Sequence, residues 1–157
     1  IRVQETKLMM DLVSALGGIP VEMAYGDVYS ALQTGVIDGA ENNWPSYVST
    51  HHYEVAKYFT LDEHTRIPEL ILTSTMVMNK LPSEDQEIFR KSAREAAEFE
   101  RKEWEKYEKL NEQKVKDAGT IITILENNAA FQEEVKSLYD EFGKGYEDLV
   151  QEIINSK

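Results

Sequence analysis

The chain contains no cysteine. That excludes a disulfide framework, a thiolate metal site and a thiol nucleophile, and leaves the redox compartment undecided. Proline (4) and glycine (8) are too sparse in 157 residues for collagen-like or low-complexity architectures. No apolar run approaches the ~20 residues that span a bilayer, and no basic n-region leads into an apolar h-region as in a signal peptide. Basic residues are the minority: 17 Lys and Arg face 29 Asp and Glu, a formal net charge of −12. Such an excess repels a phosphate backbone and anionic lipid, so neither nucleic acid nor a membrane surface is an expected partner. A phosphate-cradling glycine loop and a nucleophile elbow are both missing. His51 and His52 are adjacent, so their rings point apart; neither metal nor cofactor is expected. What remains is an ordinary globular composition, 41% hydrophobic and 29% charged, long enough for one or two compact units.

Periodicity orders the chain into alternating strands and helices. Ile1-Arg2-Val3 reads as a strand. Thr6 caps a helix with Leu8, Met9, Leu12, Val13 and Leu16 on one face, ended by Gly17-Gly18. Ile19 to Ala24 reads as a strand. Gly26 opens a short helix whose apolar face is Val28, Ala31 and Leu32, and Gly35 ends it in the left-handed conformation. Val36-Ile37 reads as a short buried strand and Asp38-Gly39 as a tight turn. Glu41, Asn42 and Asn43 are thereby presented at the end of an element, where binding groups gather. Residues 45–50 suggest a short helix with Pro45 in its first turn. Tyr58–Leu61 and Leu70–Val77 are strand-like, the second expected to be buried on both faces. Ser83 and Gln86 form a capping box after Pro82, opening a helix to about Asp117 that Gly119 stops, about 50 Å long. Phe89, Ala93, Ala96, Trp104, Tyr107 and Leu110 form its apolar stripe; Glu98–Lys102, Glu105–Lys109 and Glu112–Lys116 are pairs on its wet side. Thr120 to Leu125 reads as a strand, and Ala129 to about Asn155 as one or two amphipathic helices broken near Gly143 and Gly145.

The run Asp27-Val28-Tyr29-Ser30-Ala31-Leu32-Gln33-Thr34-Gly35-Val36-Ile37-Asp38-Gly39-Ala40-Glu41-Asn42 resembles the most characteristic segment of the DctP-type solute-binding proteins of TRAP (tripartite ATP-independent periplasmic) transporters. Asp27 stands for the usual Glu and Ile37 for the usual Val. The resemblance continues through His52-Tyr53-Glu54-Val55-Ala56-Lys57-Tyr58 and Leu81-Pro82-Ser83-Glu84-Asp85-Gln86. It implies an α/β, periplasmic-binding-protein-like fold: mostly the second lobe plus a long lobe-spanning helix, with the first lobe largely absent. It also implies a division into 1–68 (second-lobe ligand-binding segment), 69–107 (crossover strand and long helix associated with the first lobe) and 108–157 (second-lobe return and C-terminal helices).

Arg2 read alone is an ordinary strand-end arginine, although its planar fork suits a carboxylate better than any other side chain. The resemblance makes it the ligand's carboxylate partner. Asn42 read alone suits an Asx turn, and Tyr25 a core tyrosine; the resemblance gives both a ligand contact. Asn43, where proline commonly follows Glu-Asn, together with Trp44 and Pro45-Ser46-Tyr47, is more like the family's sugar-acid (uronate) binders and adds a second amide for a polyhydroxylated ligand. Glu41 and His64 are implied to brace the site without proton chemistry.

The resemblance therefore implies a non-enzymatic, periplasmic or extracytoplasmic binding component that captures a small organic acid, such as a uronate, and delivers it to integral-membrane TRAP permease subunits. A C4-dicarboxylate or another organic acid is the alternative ligand. An acidic helical interaction module would explain residues 98–116 but leaves the block at 25–43 without a purpose; an enzyme using Glu41 and His64 as an acid–base pair has only residue type behind it. Taken as a C-terminal half, the chain is expected to bind ligand weakly and to self-associate through apolar surface, giving concentration-dependent sedimentation.

Overall fold

The computed structural model describes residues 1–156. Its parallel strands are short. β1 (Arg2–Val3) pairs with β2 (Val21–Glu22), and β3 (Tyr58–Leu61) pairs with β4 (Ile121–Ile124). Helix α1 (Lys7–Ala15) starts where Thr6 accepts a bond from the Met9 N–H at 3.3 Å, as its sequence requires. Its Met9, Leu12 and Val13 pack on Val3.

A 3₁₀ turn at Tyr25–Asp27 leads into α2 (Val28–Thr34). Gly35, at φ +72°, ends α2 in the left-handed region. The Val36 N–H bonds Ala31 O at 2.9 Å and the Gly35 N–H bonds Leu32 O at 3.3 Å, the Schellman pattern that glycine favours there. The expected strand at Val36-Ile37 is consequently absent: those residues finish the helix cap, with Ile37 turned into the core and Val36 left exposed. Val28, Ala31 and Ile37 form a second small core beneath β2.

The third core joins α3 (Trp44–Ser49) to α6 (Ser83–Asp117) through Tyr47, Val48 and the fully buried Val115. Trp44 stacks on Phe59 with ring centroids 4.0 Å apart. Helix α6 enters after Pro82 without the expected capping box: Ser83 makes no cap bond, and Gln86 Nε2 reaches back to Leu81 O at 3.0 Å. Lys109–Glu105 and Lys116–Glu112 pair at 2.6 Å, whereas Glu98 and Lys102 do not pair among the described residues.

One strand expectation fails for want of a partner. Leu70–Val77 is not a strand; it runs extended into a single helical turn, α5 (Thr75–Met78), with Leu70, Ile71 and Leu72 exposed. The α6 stripe is likewise open, Phe89, Trp104, Tyr107 and Leu110 all facing solvent. A strand exists only where a neighbour pairs its backbone, and an apolar stripe is covered only where something packs on it. No described segment lies beside either. The C-terminal region forms three short helices, one more than expected: α7 (Ala129–Glu134), α8 (Lys136–Phe142) and, after Gly145 at φ +87°, α9 (Glu147–Asn155). α4 (His52–Val55) completes the set.

Candidate functional site

The site is assembled by three parallel backbone segments that end on the same side. Arg2 faces Val21 of β2 on one flank and bridges Ala40 on the other, and its N–H donates to Gly39 O at 2.8 Å. A Cβ at Gly39 would stand 3.2 Å from the end of the exposed Ile1 side chain, which a small shift of that side chain relieves. Residues following parallel strand segments gather beyond their carboxyl ends, where open α/β sheets bind ligands. Tyr25 follows β2, and Asn42 follows the Ala40 bridge.

Arg2 is 5% exposed. Its Nε and Nη2 donate to Met23 O at 3.0 and 2.9 Å, and its guanidinium lies 5.4 Å from the Tyr25 ring centroid. No carboxylate pairs with it among the described residues. A buried cation ordinarily has a counter-charge; this one has a carbonyl and an aromatic face. Of the fork's N–H donors, those at the Nη1–Nη2 edge stay open. Asn42 Nδ2 donates to the Tyr25 hydroxyl at 3.0 Å, while Asn42 Oδ1 accepts from the Asn43 N–H at 3.0 Å. Arg2, Tyr25 and Asn42 are therefore one connected cluster.

Asn43 sits beside it with its carboxamide oxygen committed: Oδ1 accepts from the Ser46 N–H at 2.9 Å and caps α3. Glu41 and His64 form a separate group. His64 Nδ1 and Asp62 Oδ1 are 2.7 Å apart, a contact between residues two apart that needs Glu63 in the left-handed region at φ +51°. The hydrogen bond to Asp62, aided by the charges of Asp62 and Glu41, outweighs burial and raises the His64 pKa. Burial opposes the change at Asp62, but the bond and charge of His64 prevail and hold its carboxyl below the usual value.

One participant was not legible in the sequence. His52 is 3% exposed and meets the Tyr25 ring edge-on at 5.9 Å. Burial, then the charge of Arg2, lowers its pKa, so the ring is neutral. His51, at φ +60°, turns its own ring outward and sends His52 in. Adjacent rings point apart, but nothing local says which of them, if either, is buried. His52 and Asn42 line a hollow of about 380 Å³ together with the apolar Leu32, Ile37 and Phe59 and the charged Asp38 and Lys57; Arg2 and Tyr25 lie outside that lining. Among the described residues no three acidic or histidine side chains converge as a metal site, and no helix is long and apolar enough to cross a membrane.

The family model for DctP, the bacterial extracellular solute-binding proteins of family 7, matches residues 1–145. The chain belongs to that family. A solute-binding protein of Chromohalobacter salexigens is 40% identical over 149 residues, covering 95% of this chain and 44% of the relative. The C4-dicarboxylate-binding periplasmic protein DctP of Vibrio cholerae is 29% identical, covering 91% of this chain and 44% of the relative. Among solved structures, a TRAP periplasmic solute-binding protein from Pseudomonas putida with bound D-glucuronate superposes with a TM-score of 0.91 at 38% identity, covering 99% of this chain and 51% of that one. One from Xanthobacter autotrophicus with bound β-D-galacturonate gives 0.84 at 39% identity, covering 90% and 47%. The fold is thus the α/β, periplasmic-binding-protein-like one of the DctP family. The chain spans about half the length of the relatives it matches.

Proposed function

We propose that this DctP-family chain contributes the carboxylate-gripping face of an extracytoplasmic TRAP solute-binding protein for a sugar acid, a uronate such as glucuronate or galacturonate. The observation that carries the reading is Arg2: a buried guanidinium, fixed by Met23 O and Tyr25, with no acidic partner among the described residues and an open Nη1–Nη2 edge. A carboxylate accepts two parallel bonds from such an edge. Asn42 and Tyr25 then bond the ligand's polar groups, and the carboxamide nitrogen of Asn43 adds a donor. Glu41 and His64 brace the exit of β3; His64 Nδ1 is bonded to Asp62, and no hydrogen bond joins His64 to Glu41 among the described residues. The loaded protein delivers its ligand to the membrane permease. The exposed apolar residues from Ile67 to Leu110 support assigning 69–107 to contact with a first lobe, the flanking 1–68 and 108–157 forming the second.

Bound uronates in the two superposed structures at 38–39% identity favour a sugar acid over a C4-dicarboxylate, which enters through a relative at 29%. Calorimetry on the full-length protein that includes this chain tests the choice. D-glucuronate or D-galacturonate is expected to bind more tightly than succinate, and D-glucose not at all. Equal binding of glucose would remove the role of Arg2, and preference for succinate would move the ligand to the dicarboxylates.

A further inference from the structure

The hollow beside Asn42 is not explained by a carboxylate on Arg2. Its walls mix apolar side chains with Asp38 and Lys57, and one buried side chain faces it without a hydrogen-bond partner among the described residues: His52. Neither imidazole nitrogen bonds a described residue, and neither is sealed off in the way the Thr120 hydroxyl is. Buried polar groups in folded proteins are almost always bonded, so the hollow has to supply what the fold does not. A neutral imidazole carries one N–H donor and one lone-pair acceptor, and the ring is held neutral here by burial and by Arg2. The group that matches both nitrogens is a hydroxyl, which donates and accepts.

We propose that His52, facing the hollow with Asn42, forms a hydroxyl-binding subsite distinct from the carboxylate grip at Arg2. It rests on the organic-acid reading: one end of the ligand sits on the guanidinium and a hydroxyl-bearing end reaches the hollow. The hydroxyl comes either from the ligand itself or from a water held on His52 that the ligand then bonds.

The test uses the full-length protein with His52→Phe, which keeps an aromatic ring against Tyr25 and removes both nitrogens, and His52→Gln, which keeps a donor and an acceptor. Calorimetry compares D-glucuronate with cyclohexanecarboxylate, an acid of similar size without hydroxyls. The expected result is at least a tenfold loss of glucuronate affinity in H52F, partly restored in H52Q. If cyclohexanecarboxylate is unaffected, the ligand's own hydroxyl occupies the subsite; if both acids weaken equally, the bound water does. Glucuronate affinity within twofold of wild type in H52F overturns the proposal. Should the wild type bind neither acid, the organic-acid reading fails, and the subsite is judged separately in ligand-free protein by NMR. A nuclear Overhauser contact between the His52 imidazole proton and a long-lived water supports it, and a ring proton without one overturns it.

Discussion

Replacing Arg2 by methionine should separate affinity from stability. In the ligand-free protein the guanidinium donates twice to Met23 O at 3.0 and 2.9 Å, and bonds from charged donors contribute roughly 1.5–3 kcal/mol each when unshared. Against them stands the cost of holding an unpaired charge at 5% exposure, several kcal/mol by the general accounting for buried ions. Methionine keeps the length of the stem and its contact with Tyr25 while removing that charge. The two terms largely offset, so unfolding free energy should change by no more than about 1–2 kcal/mol. Ligand affinity has no such compensation. Losing a closed-off charge pair costs roughly 2–5 kcal/mol, a drop of about 30- to 5,000-fold. Calorimetric titration with D-glucuronate measures the second quantity, and urea denaturation without ligand the first. Glucuronate binding within threefold of wild type would refute the reasoning, as would a loss of more than about 4 kcal/mol in ligand-free stability, which would make Arg2 a structural residue.

Two further outcomes are expected. His64 titrates above its usual value when folded, so folding favours the imidazolium: its contribution is complete below about pH 6.5 and fades as pH rises through the raised value. Wild type should therefore exceed His64→Gln in melting temperature at pH 5.5, with the gap narrowing by pH 9; a gap independent of pH would contradict the Asp62 pairing. At Asn43, aspartate preserves an oxygen for the α3 cap while removing the amide donor, so Asn43→Asp should keep the wild-type melting temperature and lose uronate affinity. Asn43→Ala should cost about 1 kcal/mol of stability, and an Asn43→Asp variant with unchanged affinity in calorimetry would confine Asn43 to capping.

Local chemistry made much of the fold legible. Thr6 as a cap, Gly35 as a left-handed terminator and Pro45 in the first turn of α3 each act within a few residues, so spacing alone locates them. The errors arose where a partner decides. Leu70–Val77 has every mark of a strand but no neighbour, and Val36-Ile37 was taken by the Schellman cap of the helix before it.

The site divides along the same line. The linear block from Asp27 to Asn42 carried the resemblance to the family, because its side chains and glycines answer to local turns and caps. Only tertiary structure decided that Arg2 would lie against Met23 and Tyr25 with no acid paired to it among the described residues, that Asn42 would bond Tyr25, and that His52, not His51, would turn inward. Those facts depend on parallel pairing between segments far apart in the chain, and electrostatic isolation is a property of everything that surrounds a charge, which a residue's sequence neighbours do not specify.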